Sequence, residues 1–235
     1  IERLLDRPEF ADYWAMKWGD LLRVKAEFPI KLWPNAVQAY HHWILDSIRT
    51  NKGYHEFARE LIVGSGSNFR EGEVNFYRAM QDQSPQGIAS TVALTLMGER
   101  TEHWSERKLD AMAGFFSHVA YKSTSEWKEE IVYFDPTMDE ERLYEGAIFP
   151  DGTPVTLDPS QRDPRVVFAD WLIRPENPSF TKAITNRVWA WLMGRGIVEE
   201  PDDMGPHNPP SNPPLLDFLA AEFADSQCDV KHLFW

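Results

Sequence analysis

The sequence predicts a mainly α chain, helical domains with a small β-hairpin insert, and three observations carry that prediction. Apolar residues recur every three or four positions over most of the length, as one buried face of a helix requires. Proline and glycine punctuate these runs where helices begin and end. Short β-prone runs bounded by Asp-Pro and Asp-Gly are concentrated in residues 123–160.

Taken in order, Ile1 to Leu5 reads as the close of a helix. The next starts near Pro8 and carries Phe10, Tyr13, Trp14, Trp18 and Leu21 as a core stripe. Trp33-Pro34-Asn35 opens a helix with Val37, Tyr40, Trp43, Ile44 and Ile48 in register, stopping near Asn51-Lys52-Gly53, and another runs from Tyr54 to Val63. Gly64-Ser65-Gly66-Ser67-Asn68 breaks the pattern. Val74, Tyr77 and Met80 then suggest a short helix, and Ser84-Pro85 starts one through Leu96. Ser105 opens a further helix that turns Leu109, Met112, Phe115, Phe116 and Val119 inward.

After Ser123 the period changes. Ile131-Val132-Tyr133-Phe134 is a strand-like run stopped by Asp135-Pro136, and Pro150-Asp151-Gly152-Thr153 separates two apolar runs, a hairpin signal. The expected organisation is a helical domain over 1–122, a β-containing insert or linker over 123–160, and the start of a second helical domain over 161–235. In the latter, helices follow Asp163-Pro164 and run from Phe180 to Met193, with Gly194 as the C-terminal stop. The Pro201–Pro214 stretch holds six prolines and reads as a loop, after which Leu215, Leu216, Leu219 and Phe223 form another amphipathic helix. Val230–Trp235 reads as the start of one more.

With 43% hydrophobic and 13% aromatic residues in 235, the chain can bury a core, which argues against disorder. A formal net charge of −13 repels nucleic acid and anionic lipid, so neither is expected as a partner. No run approaches the ~20 apolar residues of a membrane span, so the chain is expected to be soluble. Cys228 is the lone cysteine and cannot form an intrachain disulfide or a cysteine-rich zinc site; no metal site is expected. Neither an initiator Met nor a signal pattern occurs, so any targeting segment is expected upstream.

Two polar groups are candidate binding sites. The Gly64–Asn68 loop with Arg70 can offer backbone N–H groups and a guanidinium to an anion, although a plain structural turn is the preferred reading. Asn186, Arg187 and Arg195 beside Asp202, Asp203, His207 and Asn208 can build a polar cleft; alternatively Arg187 pairs with Asp202 or Asp203 and pins the proline loop to its helix. Ser211 or Asn212 suits the cap of the helix that follows. His41 and His42 are adjacent on a helix and point about 100° apart, which suits one surface and one core histidine better than a metal pair. Most of the ten tryptophans sit on core stripes; Trp33, Trp104 and Trp127 are expected to be exposed.

Two strings resemble a known pair of domains. Asn68-Phe69-Arg70, Val74 to Ala79, Pro85 to Ala89 and Leu96-Met97-Gly98 resemble the first. Phe180 to Ala183, Asn186 to Ala190, Gly194 to Val198, Pro201-Asp202-Asp203, Asn208 to Pro213 and Lys231-His232-Leu233 resemble the second. The pair is that of planctomycete-type secreted proteins of unknown function found beside cytochrome c-like domains. The resemblance implies a periplasmic or secreted location, a helical architecture, and a c-type cytochrome or another protein subunit as partner. Family members carry Cys-x-x-Cys-His between the equivalents of Gly98 and Phe115; here Glu99 to Ser105 holds no cysteine, so covalent c-type haem cannot form within this chain and no cofactor is expected. The function expected is a non-catalytic interaction or scaffold module. A carbohydrate-active hydrolase is the alternative, with a carboxylate pair from Asp202, Asp203, Glu99 and Glu102; a third possibility is haem or metal binding through histidine side chains alone, which needs two histidines to meet from separate helices.

Overall fold

The computed structural model describes residues 1–27, 32–138, 147–158, 160, 162–175 and 177–235. Helices α1 (Glu2–Leu5), α2 (Pro8–Leu21), α3 (Pro34–Arg49) and α4 (Tyr54–Val63) follow the punctuation of the sequence. Pro8 and Pro34 occupy first turns, where the missing N–H has no intrahelical partner to lose. Trp14 and Trp18 of α2, Tyr40 and Ile44 of α3, and Phe57 and Leu61 of α4 are buried together. His41 is half-buried and His42 exposed, so this pair contributes no core histidine; the buried one is His118.

A 3-10 turn over Gly72–Val74 leads into α5 (Asn75–Arg78). Gly72 lies against α3 so closely that a Cβ would sit 2.5 Å from the Ala39 carbonyl oxygen, which only glycine avoids. Helix α6 (Pro85–Val92) is capped by Ser84, whose Oγ accepts the Gly87 N–H at 3.1 Å. It continues through a π-helical turn, Ala93–Met97, to Gly98 at φ 64°, so the helix expected through Leu96 ends in one widened turn.

Helix α7 (Glu106–Ala113) starts at the Ser105 cap and gives way to a 3-10 turn at Gly114–Phe116. Here the structure corrects the sequence reading. Val119 is buried, but on a strand: β2 (Val119–Ser123) pairs antiparallel with β3 (Glu130–Phe134), and β1 (Gly66–Ser67) adds to the other edge of β3, giving the order β1-β3-β2. The hairpin expected around Asp151-Gly152 is reduced to a single bridge between Ile148 and Pro154. Its Phe149 instead stacks between Phe115 and Trp171, both at 5.0 Å, so this stretch is packed into the core. Residues 139–146 and 159 of the proposed insert lie outside the described residues.

Helices α8 (Pro164–Leu172), α9 (Pro178–Met193) and α10 (Pro213–Asp225) complete the chain, followed by a 3-10 turn at Val230–Phe234. Asn212, not Ser211, caps α10, accepting the Leu215 N–H at 3.2 Å, and Gly194 at φ 82° ends α9. Helix α8 packs on α4, and α9 on the π turn and α10. One core therefore includes residues from both sides of 123–160, among them Trp18, Tyr54, Phe115, Phe168, Phe180 and Phe223. Among the described residues no helix is long and apolar enough to cross a membrane.

Candidate functional site

Some of the polar residues singled out by the sequence lie where the second half of the chain grips the first, and two buried arginines organise that grip. Arg187 projects from α9 with its side chain only 4% exposed. Its Nη1 donates to the Thr95 carbonyl at 2.8 Å and its Nη2 to the Leu94 carbonyl at 3.3 Å, both on the π turn. Nε and Nη2 donate to Asp202 Oδ1 at 3.1 and 2.5 Å. A guanidinium suits this position because its fixed fork serves several acceptors at once. Of the two roles open to Arg187, the structure shows the pin: it ties the proline loop to α9 through Asp202, and also reaches the end of α6.

Arg165 of α8, which the sequence reading did not single out, is the second clamp. Its Nη1 donates to the Gly64 carbonyl and its Nη2 to Ser65 Oγ, both at 3.0 Å, while Asp163 accepts from Nε and Nη2. Burial opposes its charge, but Tyr77 and Asp163 more than offset this and hold the guanidinium above its ordinary range. The Gly64-Ser65 segment considered for an anion is thus engaged by a cation of the chain itself. The only sequence sign of Arg165 was its place beside Asp163-Pro164, a helix start. Burial likewise pushes the Tyr77 phenol, which donates to the Ile62 carbonyl, up to about 12.

Asn186 is fully buried and mimics a strand partner: its Nδ2 donates to the Val198 carbonyl at 3.1 Å and its Oδ1 accepts the Val198 N–H at 2.9 Å. Asn208 donates to the Asp203 carbonyl at 2.9 Å and closes the loop. Arg195 is exposed just after the Gly194 stop. Asn68 is buried at the sheet, its Oδ1 accepting the Glu130 N–H at 2.9 Å and its carbonyl accepting from Asn75 Nδ2 at 2.8 Å. Arg70 is 80% exposed, 3.8 Å from Glu129. Hydrogen bonds from Ser67 and Thr124 hold the Glu129 carboxyl below its usual range.

Of the carboxylates considered for hydrolysis, Asp202, Asp203 and Glu99 are engaged by different partners and Glu102 is exposed. Asp202 serves Arg187, and Glu99 accepts from Trp104 Nε1 at 3.0 Å and faces Lys108 at 3.5 Å. Trp104 is accordingly half-buried, whereas Trp33 and Trp127 are exposed. Asp203 meets two histidines. His207 Nε2 is 2.9 Å from Asp203 Oδ2, and His103 Nε2 is 3.8 Å from the same oxygen. The two imidazole centroids are 4.2 Å apart. The hydrogen bond from His207 is the main cause that lowers the Asp203 carboxyl below its ordinary value.

Comparisons with known proteins find two family models along the chain. Residues 1–120, more than half its length, match the family model described as PSCyt2, protein of unknown function (DUF1549). Residues 164–234 match PSD1, protein of unknown function (DUF1553). No curated protein and no solved structure is significantly similar to the chain. Arg187 and Arg165 therefore lie in the second matched segment, and their acceptors Leu94, Thr95, Gly64 and Ser65 in the first. The chain belongs to the PSCyt2 family and continues into a PSD1 segment, the paired domains of the planctomycete-type proteins it resembles.

Proposed function

We propose that this chain is a non-catalytic interaction or scaffold module of an extracytoplasmic, periplasmic or secreted assembly that includes a c-type cytochrome domain or subunit. The observation that carries the reading is the use made of the polar residues. Arg187, Arg165, Asn186 and Asn68 are buried and bonded to backbone or to neighbouring side chains; the two arginines fasten the two matched segments together, the two asparagines brace the structure around them, and few polar atoms are left for a substrate. A surface built on such a rigid junction suits docking of another protein. The resemblance to proteins with cytochrome c-like domains supports the choice of partner, and with a single cysteine in this chain the haem belongs to a different domain or subunit. Native mass spectrometry on protein gently isolated from its source tests this. A co-purifying cytochrome is the expected result; a lone chain with robust catalytic turnover would overturn it.

One observation favours a second reading, a carbohydrate-active protein. A groove between the start of α3 and the β2–β3 turn is lined by the exposed Trp33 and Trp127 together with Glu126, Glu129, Glu130 and Arg78. Indole faces stack on sugar rings, and carboxylates beside them can hydrogen-bond hydroxyls. Saturable tryptophan quenching by an oligosaccharide, lost on Trp127→Ala, would favour this reading over the scaffold.

A further inference from the structure

We infer that His103, Asp203 and His207 form a binding site for one divalent transition-metal cation of the zinc class, shared between the PSCyt2 and PSD1 segments. Each residue offers one ligand atom, and these atoms all lie within 4.8 Å of one another. Around a tetrahedral cation with bonds of about 2.0–2.1 Å, ligand atoms stand ~3.3 Å apart. The separations from Asp203 Oδ2, 2.9 Å to His207 and 3.8 Å to His103, straddle that value, and no two ligand atoms are more than 4.8 Å apart.

Hydrogen bonding alone satisfies the cluster poorly. Asp203 Oδ1 is buried and has no hydrogen-bond partner among the described residues, while both imidazoles converge on Oδ2. The imidazole centroids are 4.2 Å apart, so the two rings crowd one carboxylate oxygen while the other is left without a partner among the described residues. A dication suits this convergence, taking imidazole nitrogens and a carboxylate oxygen as ligands. Two imidazoles and one carboxylate with an open fourth position is a donor set that first-row divalent metals accept. Arg100 adds an opposing positive field at Asp203, against the background of a strongly acidic chain.

The backbone around the cluster is already set. Met204 N–H donates to the Gly98 carbonyl at 2.8 Å, bringing the PSD1 loop onto the turn before His103. Asp203 N–H donates to Glu200 at 2.9 Å, and Asn208 fixes the Asp203 carbonyl. The His103 turn is held by Thr101 Oγ1, which donates to Ser90 Oγ at 2.8 Å. Gly205 lets the His207 ring fold back, since a Cβ there would lie 2.5 Å from the imidazole. The ligands come from residues about 100 positions apart, so a bound metal cross-links the two segments independently of the arginine clamps.

The test is calorimetric titration of the chelator-stripped whole chain with Zn²⁺ at neutral pH, alongside His103→Ala, His207→Ala, Asp203→Asn and, as a control, His42→Ala. One saturable equivalent is expected, weakened ~10–100-fold or more by loss of either imidazole and unchanged in the control. Asp203→Asn keeps the size of the side chain and removes its charge, so it serves if an alanine variant fails to fold. Absence of a saturable equivalent, or binding of parental affinity in a folded His103→Ala or Asp203→Asn chain, would overturn the site.

Discussion

Replacing Arg187 by alanine is expected to lower the stability of the whole chain, by an amount that follows from its partners. The substitution leaves the carbonyls of Leu94 and Thr95 without their guanidinium donor and Asp202 without its counter-charge. A buried acceptor left unpaired costs ~1–3 kcal/mol. Asp202 is 44% exposed on its side chain, so water can replace its lost partner and its share is small. The two carbonyls then set the loss at ~3–4 kcal/mol, near the lower end of the ~3–5 kcal/mol found when one member of a buried pair is removed. For a chain of this length that corresponds to a fall in Tm of ~10 °C. Asp202→Ala should cost less, ~1–2 kcal/mol, because Arg187 keeps both carbonyls. Arg187→Lys should fall between, since an ammonium keeps the charge but not the fork. Thermal and urea denaturation followed by circular dichroism measure all three. An Arg187→Ala chain melting within ~2 °C of the parent, where ~10 °C is expected, or an Asp202→Ala chain less stable than Arg187→Ala, would refute the reasoning.

Two further outcomes follow from local geometry. A Cβ on Gly196 would lie 2.0 Å from the Val198 carbonyl oxygen and 3.0 Å from the Asn186 amide, so Gly196→Ala should break the Asn186–Val198 pairing and destabilise the chain, read as a lower urea midpoint. Burial lifts the Cys228 thiol from 9.0 to about 11, so its folded state favours the neutral form and loses stability as pH rises from the lower value through the higher. At pH 8 the folded chain then holds ~100-fold less thiolate than an ordinary cysteine, and iodoacetamide should alkylate Cys228 far more slowly in buffer than in denaturing urea; equal rates would contradict it.

Helices were legible in the sequence because their signals are local. Pro8, Pro34, Ser84, Ser105 and Gly194 each act within a few residues, and each marks a helix end in the structure. Strand β2 escaped because Val119 continues the spacing of Met112 and Phe116 while its pairing partner lies beyond a turn. The Asp151-Gly152 signal is a real turn, with Gly152 at φ 90°, but packing of Phe149 against Phe115 and Trp171 decided its surroundings. The Arg187–Asp202 pin was readable as charge complementarity fifteen residues apart. Its reach to Leu94 and Thr95, the role of Arg165, and the meeting of His103 with Asp203 and His207 all span about 100 residues, a distance over which spacing carries no information.

The π turn that closes α6 gives the fold a built-in order in time. Its widened geometry leaves the Leu94 and Thr95 carbonyls facing a residue that lies more than 90 positions later in the chain. Synthesis runs from the N-terminus, so these oxygens are made long before Arg187 exists to cover them. Until α9 emerges they must be hydrated, and the end of α6 lacks the positive charge that a helix C-terminus favours. Completion of the PSCyt2 segment is thus deferred to a PSD1 residue, and a chain cut between the two keeps a helix whose final turn is still open to water.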